Sequence, residues 1–201
     1  MKNYFSSDFK LGVLGGGQLG RMLLTETQKY DIYTVILDGA KNAPCAQICN
    51  EFHHGDLMDF QTVYDFGKKV DVLTIEIEHV NIEALKKLQE EGLKIFPQPE
   101  VLETIQHKGK QKDFFLANHI PTAPYKRFDT LQEFNTSEHF PFVWKAAQFG
   151  YDGTGVKIIR SADDLTGLSD EACITESLIP FKNELAVIVA SAPDSARLLR
   201  S

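Results

Sequence analysis

Three groups of residues in this sequence have types and spacings that could do chemistry. The first is Leu11-Gly-Val-Leu-Gly15-Gly-Gly17-Gln-Leu-Gly20-Arg21, with glycines spaced G-x-G-x-x-G at Gly15, Gly17 and Gly20. Glycine permits a tight turn and a close approach of backbone to ligand, and a following helix offers free amides and a positive dipole end. Asp38 stands where a dinucleotide-binding turn places its ribose-binding acid. On these residues alone a nicotinamide-dependent dehydrogenase is one reading, and a turn that only lets strand and helix pack closely is another. Gln18 and Arg21 add polar and cationic reach suited to a phosphorylated small molecule.

The second group is acidic. In Val72-Leu-Thr-Ile-Glu76-Ile-Glu78 the carboxylates alternate with isoleucine. Read as a strand over 70–78, the period of two puts Glu76 and Glu78 on one face, at the rim where open α/β sheets bind ligands. A carboxylate there accepts from hydroxyls or an amine, or simply meets solvent. The third group starts at Lys145, the end of the predicted strand Phe142-Val-Trp-Lys145, and continues through Gly150, Gly153 and Gly155. A glycine-rich loop between two strands can fold over phosphates with its amides as donors, and a lysine adds a point charge. An ordinary hairpin with a surface lysine is the plain alternative. Glu176 and Glu184 flank the next two predicted strands, as base or ribose acceptors or as solvated acids. His53, His54, His79, His107, His119 and His139 lack metal-ligand spacing and are read as structural or surface groups.

Elements must position these groups. Strands are expected at Leu11–Leu14, Tyr33–Asp38, 70–78 and 93–96, and helices at 18–29, at 60–69 and between Asn81 and Gly92. Asn81 can cap its helix and Gly92 can end it. Alternating strands and helices predict a parallel sheet with helices on both faces. One helix is expected from Pro99 to about His119, then a rigid Ile120-Pro-Thr-Ala-Pro124 connection. Beyond it, short strands at 142–146, 156–160, 173–178 and 184–190, with a short helix near 163–167, predict an α+β unit.

Composition narrows the classes. The chain has 201 residues, 43% of them hydrophobic, and a formal net charge of −7, with no basic tract to follow a nucleic acid. No apolar run is long enough for a membrane span, and the amino terminus lacks the apolar core of a signal peptide. Cys45, Cys49 and Cys173 suit reduced thiols of a cytoplasmic protein rather than a disulfide framework or a zinc site.

Together these segments resemble the 5-(carboxyamino)imidazole ribonucleotide synthase family of the ATP-grasp superfamily. The resemblance rests on Gly15-Gly-Gly-Gln-Leu-Gly-Arg-Met22, Thr74-Ile-Glu-Ile-Glu-His79, Phe96-Pro-Gln-Pro-Glu-Val-Leu102, Ile120-Pro-Thr-Ala-Pro124, Lys145-Ala-Ala-Gln-Phe-Gly-Tyr-Asp-Gly153 and Glu184-Leu-Ala-Val-Ile-Val189, in order along nearly the whole chain. It implies a Rossmann-like pre-ATP-grasp domain over 1–100, a helical connector over 101–124, an ATP-grasp lid over 125–182 and the start of the ATP-grasp core over 183–201. It implies that ATP phosphorylates bicarbonate to carboxyphosphate, which carboxylates the amine of 5-aminoimidazole ribonucleotide in purine biosynthesis, with Mg2+ on the phosphates. A homodimer is common among such enzymes.

The resemblance also implies roles. Lys108 and Lys145 would hold ATP phosphates, and Gly150, Tyr151, Asp152, Gly153, Thr154, Gly155 and Val156 would form a flap over them. Glu176, Ser177, Leu178 and Ile179 would line the adenine, and Glu184 would contact the ribose. Gly17, Gln18, Leu19 and Glu76 would bind the ribonucleotide. Catalytic residues and metal-binding acids are expected in a carboxy-terminal part absent from this chain, so an inactive nucleotide-binding fragment is the alternative. Two departures stand out: Thr154 replaces the usual flap lysine, and 191–201 do not match the family's continuation.

Overall fold

A computed structural model describes residues 3–4, 6–130, 133, 139–148, 155–187, 189–192 and 195–198. The amino-terminal half is a five-stranded parallel sheet of β1 (Lys10–Leu14), β2 (Tyr33–Asp38), β3 (Glu51–His54), β4 (Val72–Ile75) and β5 (Lys94–Phe96). The strand order is β3-β2-β1-β4-β5. The order therefore reverses between β1 and β4, and the crevice at their carboxyl ends is where such sheets take ligands.

Both faces of this sheet are covered, as its nearly continuous apolar strands require. On one face Val13, Ile36 and Cys45 pack against Leu24 of α1 (Gln18–Gln28). On the other, Leu14, Val35, Leu37 and Leu73 pack against Val63 and Phe66 of α2 (Phe60–Gly67) and Leu85 and Leu88 of α3 (Ile82–Glu90). The Asp59 side chain accepts from the Thr62 amide and starts α2. Asn81 caps α3 by accepting from the Ala84 amide, as its sequence position predicts. Gly92, at φ +95°, follows the end of α3.

Several sequence expectations are corrected. The strand expected over 70–78 stops at Ile75, so Glu76 and Glu78 leave the pleat and do not share a strand face. The helix expected from Pro99 to His119 is two helices, α4 (Pro99–Gln106) and α5 (Lys108–Ala117). His107 divides them because it takes an extended backbone (φ −122°, ψ 103°) and its Nδ1 accepts from the Gly109 and Lys110 amides. The expected helix near 163–167 is one 3-10 turn, Ala162–Leu165, with a Ser161–Asp164 capping box.

The second sheet is antiparallel, with β6 (Tyr125–Phe128), β7 (Phe142–Ala146), β8 (Val156–Ile159) and β9 (Cys173–Ser177) in the order β6-β9-β7-β8. One face buries Phe142, Trp144, Ala146, Ile159 and Cys173 against Phe128, Leu165 and Leu168. The register places Tyr125, Glu176, Val143, Lys145, Val156 and Ile158 on the other face. The strand expected over 184–190 is absent over 184–187; instead β10 (Val189–Ala192) pairs with β11 (Ser195–Leu198). The parallel sheet followed by a mixed unit with an antiparallel sheet is the fold class that the sequence predicts.

Candidate functional site

The glycine turn leads from β1 into α1 at the switch point, and its Gly15, Gly16 and Gly20 amides are already engaged. The Gly15 amide donates to the Leu37 carbonyl at 2.9 Å, and the Gly16 amide to Asp38 Oδ2 at 2.6 Å. Asp38 Oδ1 accepts from the Ala40 amide at 2.7 Å. The Gly20 amide, in the first turn of α1, donates to Glu76 Oε1 at 3.2 Å. Two of the chain's own carboxylates thus occupy the region where a dinucleotide-binding turn takes a pyrophosphate and a ribose. A second anion would meet their charge, whereas hydroxyl or amine donors would be welcomed. This arrangement argues against the dehydrogenase reading.

Glu76 lies against both Gly15 and Gly17. A Cβ on Gly15 would fall 2.5 Å from Glu76 Oε2, and one on Gly17 2.9 Å from Oε1. Gln18 and Leu19 project from the first turn into solvent, Leu19 at 66% exposure. Gly17, Gln18, Leu19 and Glu76 therefore meet at one end of the sheet. Cys45 Sγ lies 3.7 Å from the Gly17 carbonyl oxygen, but burial, with nearby Cys49, Glu76 and Asp38, pushes its thiol up to about 11. It stays protonated and is not a nucleophile at neutral pH.

A second cluster forms where α5 meets the antiparallel sheet. The Lys108 amide donates to the Ala147 carbonyl at 2.8 Å, tying the start of α5 to the end of β7. The Ala146 amide donates to the Gly155 carbonyl at 2.8 Å, fixing the far end of the glycine loop. Lys145 Nζ donates to Glu176 Oε2 at 2.9 Å, and Lys112 Nζ lies 3.1 Å from Glu176 Oε1. Burial holds the Lys108 ammonium below the ordinary lysine range, and the charge of Lys145 adds to this, partly offset by Glu78 and Glu176. A site that discourages its own cations is one that an incoming anion would relieve.

Beside these cations, Val156 and Ile158 lie open on the same sheet face as Lys145. Leu178 and Ile179 are exposed just past β9. An apolar wall next to clustered ammonium groups suits a flat base joined to a polyphosphate. The two clusters adjoin, because Glu78, two residues beyond Glu76, exerts its charge on Lys108. Gln106 secures that segment by donating to the Glu78 and Val80 carbonyls at 2.7 and 2.8 Å.

The structure thus brings Lys108, Lys145 and Glu176 together, with Val156 on the adjoining face and Ser177 held by its amide on the Pro124 carbonyl. The predicted flap residues Gly150, Tyr151, Asp152, Gly153 and Thr154 lie outside the described residues. Glu184 is exposed in a stretch without regular structure and forms no ion pair with the cluster among the described residues. Sequence reasoning missed Lys112. Its four-residue spacing from Lys108 places both lysines on one helix face, and that signal could have found it. Among the described residues no group of three or more His, Cys, Asp or Glu side chains could hold a metal ion. No described helix is long and apolar enough to cross a membrane.

Two domain families match the chain in sequence. Residues 9–106 match the ribonucleotide synthetase preATP-grasp domain, and residues 113–198 the ATP-grasp domain. The phosphoribosylaminoimidazole carboxylase of Saccharomyces cerevisiae is 38% identical over 192 residues, which are 89% of this chain and 34% of that protein. The fold is similar to N5-carboxyaminoimidazole ribonucleotide synthetase of Thermotoga maritima, with TM-score 0.84 and 35% identity over 94% of this chain and 52% of that one. It is also similar to the carboxyaminoimidazole ribonucleotide synthase of Aspergillus clavatus complexed with ATP, with TM-score 0.87 and 34% identity over 96% of this chain and 53% of that one. A further structure of the Aspergillus clavatus protein holds ADP and 5-aminoimidazole ribonucleotide. The chain spans about half the length of these solved structures and about a third of the yeast relative. Both domain matches in order, on a shared fold, place the chain in the N5-carboxyaminoimidazole ribonucleotide synthase family of ATP-grasp proteins.

Proposed function

We propose that this chain forms the nucleotide- and ribonucleotide-binding half of an enzyme that carboxylates 5-aminoimidazole ribonucleotide, using ATP and bicarbonate, in purine biosynthesis. The observation that carries this reading is the crowding of Lys108 and Lys145 around Glu176, beside the open Val156 and Ile158 wall. The adenine packs on that wall, and Ser177, Leu178 and Ile179 offer backbone groups to its edge. Lys108 and Lys145 take the phosphates, 150–156 close over them, and Glu184 reaches the ATP ribose. Gly17, Gln18, Leu19 and Glu76 form the ribonucleotide side, where the carboxylate accepts from hydroxyls or an amine. The ligands seen in the Aspergillus clavatus structures support both halves of this assignment.

A bicarbonate oxygen attacks the γ-phosphorus and ADP departs, leaving carboxyphosphate. The ribonucleotide amine then attacks the carboxyl carbon and phosphate departs. This chain's residues position the reactants and keep water from the mixed anhydride. Magnesium would accompany the nucleotide and offset its charge. The described residues do not themselves form a metal site, and no step above is routed through one. A cytoplasmic setting and a second copy of the chain as partner belong to the same reading.

Titration calorimetry of the chain with magnesium-ATP and with NADH tests it. ATP binds and NADH does not, and Lys145→Met weakens ATP by about tenfold or more, the loss of one charge-assisted contact. Tighter binding of NADH than of ATP would refute the assignment. A second reading is nucleotide binding without turnover. Phosphate release that requires both bicarbonate and the ribonucleotide would exclude it.

A further inference from the structure

Lys112 and Glu176 are the two charged side chains buried among the described residues, each at 8% exposure, and they are each other's partners. The Lys112 ammonium is fully engaged. It lies 3.1 Å from Glu176 Oε1, donates to Thr122 Oγ1 at 2.5 Å and sits 5.9 Å from the centroid of the Tyr125 ring. The second carboxylate oxygen, Oε2, accepts from Lys145 at 2.9 Å. One carboxylate therefore joins an interior ammonium group to one at the rim of the cleft.

This arrangement solves a problem set by burial. A buried carboxylate stripped of its partner is strongly disfavoured. If Lys145 were the only cation on Glu176, turning toward a phosphate would leave that carboxylate uncompensated. With Lys112 fixed on the other oxygen, Glu176 keeps a partner and its place while Lys145 is shared with a ligand. Thr122 and the Tyr125 ring, in the connection and strand that follow α5, also hold Lys112 in place. Lys112 need not touch the nucleotide for this.

We propose that Lys112 is a positioning residue that acts through Glu176 to aim Lys145 at the nucleotide's phosphates. The inference rests on the nucleotide reading above and adds to it a residue with no ligand contact of its own. A purely structural Lys112 would affect every ligand and the fold alike. A positioning Lys112 affects only ligands with phosphates, and only while Glu176 carries its charge.

The test uses the full chain, with ADP and adenosine as probes in titration calorimetry. Lys112→Met keeps the apolar stem and removes the charge. It weakens ADP by about tenfold, one charge-assisted hydrogen bond, and leaves adenosine within about twofold. In a Glu176→Gln background the same substitution costs ADP nothing further, because the two residues act as one unit. Wild-type affinity for ADP in Lys112→Met overturns the proposal, and so do equal losses for ADP and adenosine or an undiminished loss in the Glu176→Gln background. If Lys112→Met does not fold, Thr122→Val replaces it, since it removes only the oxygen that steadies Lys112. About a threefold loss for ADP alone then supports the proposal, and unchanged ADP binding overturns it. Failure of the wild-type chain to bind ADP sinks the nucleotide reading and the proposal together, whereas wild-type binding with unaffected variants sinks the proposal alone.

Discussion

Gly15 shows how narrowly one residue is constrained here. Its φ of +96° is one that side chains rarely adopt, and the space a Cβ would need holds Glu76 Oε2 at 2.5 Å and Ile77 Cγ2 at 2.8 Å. Gly15→Ala is expected to lower stability by about 1–3 kcal/mol from the backbone conformation alone. The displaced Glu76 would also release the Gly20 amide. Thermal denaturation checks this, and an unchanged Tm would contradict the geometry. The glycine spacing was legible in the sequence as a ligand-binding turn. What was not legible is that Asp38 and Glu76 accept from two of its amides, because that depends on which strands neighbour β1. The spacing alone left a dehydrogenase open, and the placement of two carboxylates argues against it.

At the scale of an element, α5 carries Lys108 and Lys112, and its first turn hangs on His107. Nδ1 accepts from the Gly109 and Lys110 amides only when the imidazole is neutral. Burial, then the Arg127 charge, with a smaller part from Lys110, lowers the His107 pKa below 6.5, and Asp113 offsets a little. Between the folded and unfolded values the unfolded chain binds more protons, so stability rises with pH there. The contribution is complete above 6.5 and is lost as pH falls through the folded value. Tm is expected to fall between about pH 7.5 and about pH 5.5, and His107→Asn, which keeps a capping acceptor, to flatten that slope. An equally steep slope in the variant would remove His107 from the explanation. The break at His107 was hidden in the sequence because 99–119 hold helix-favouring residues on both sides. Histidine is not among the preferred caps. Glu103 braces the three helices, and its hydrogen bonds to Lys110 and then Lys86 hold its carboxyl down at about 2.

Across the whole molecule, the parallel sheet was readable because strand and helix periods alternate regularly through the first hundred residues. The strand order and the short edge strand β3 were not, since Glu-Phe-His-His carries little β-signal. The carboxy-terminal strand was misplaced for a related reason. Glu-Leu-Ala-Val-Ile-Val has a strong strand pattern, but Leu185 and Val187 are 91% and 69% exposed, and among the described residues 184–187 pair with no strand. Replacing both by lysine is expected to leave stability within about 0.5 kcal/mol while reducing binding of a hydrophobic dye. A clear drop in Tm would mean that these side chains pack after all.

The chain contains one tryptophan, Trp144, on the strand that also carries Lys145. Its indole is shielded from water on the face opposite the lysine. The protein therefore has its own optical gauge, a single emitter one residue from the cation assigned to phosphate. Its fluorescence should be blue-shifted and poorly quenched by acrylamide, and a ligand that pulls on Lys145 should change it without any dye being attached.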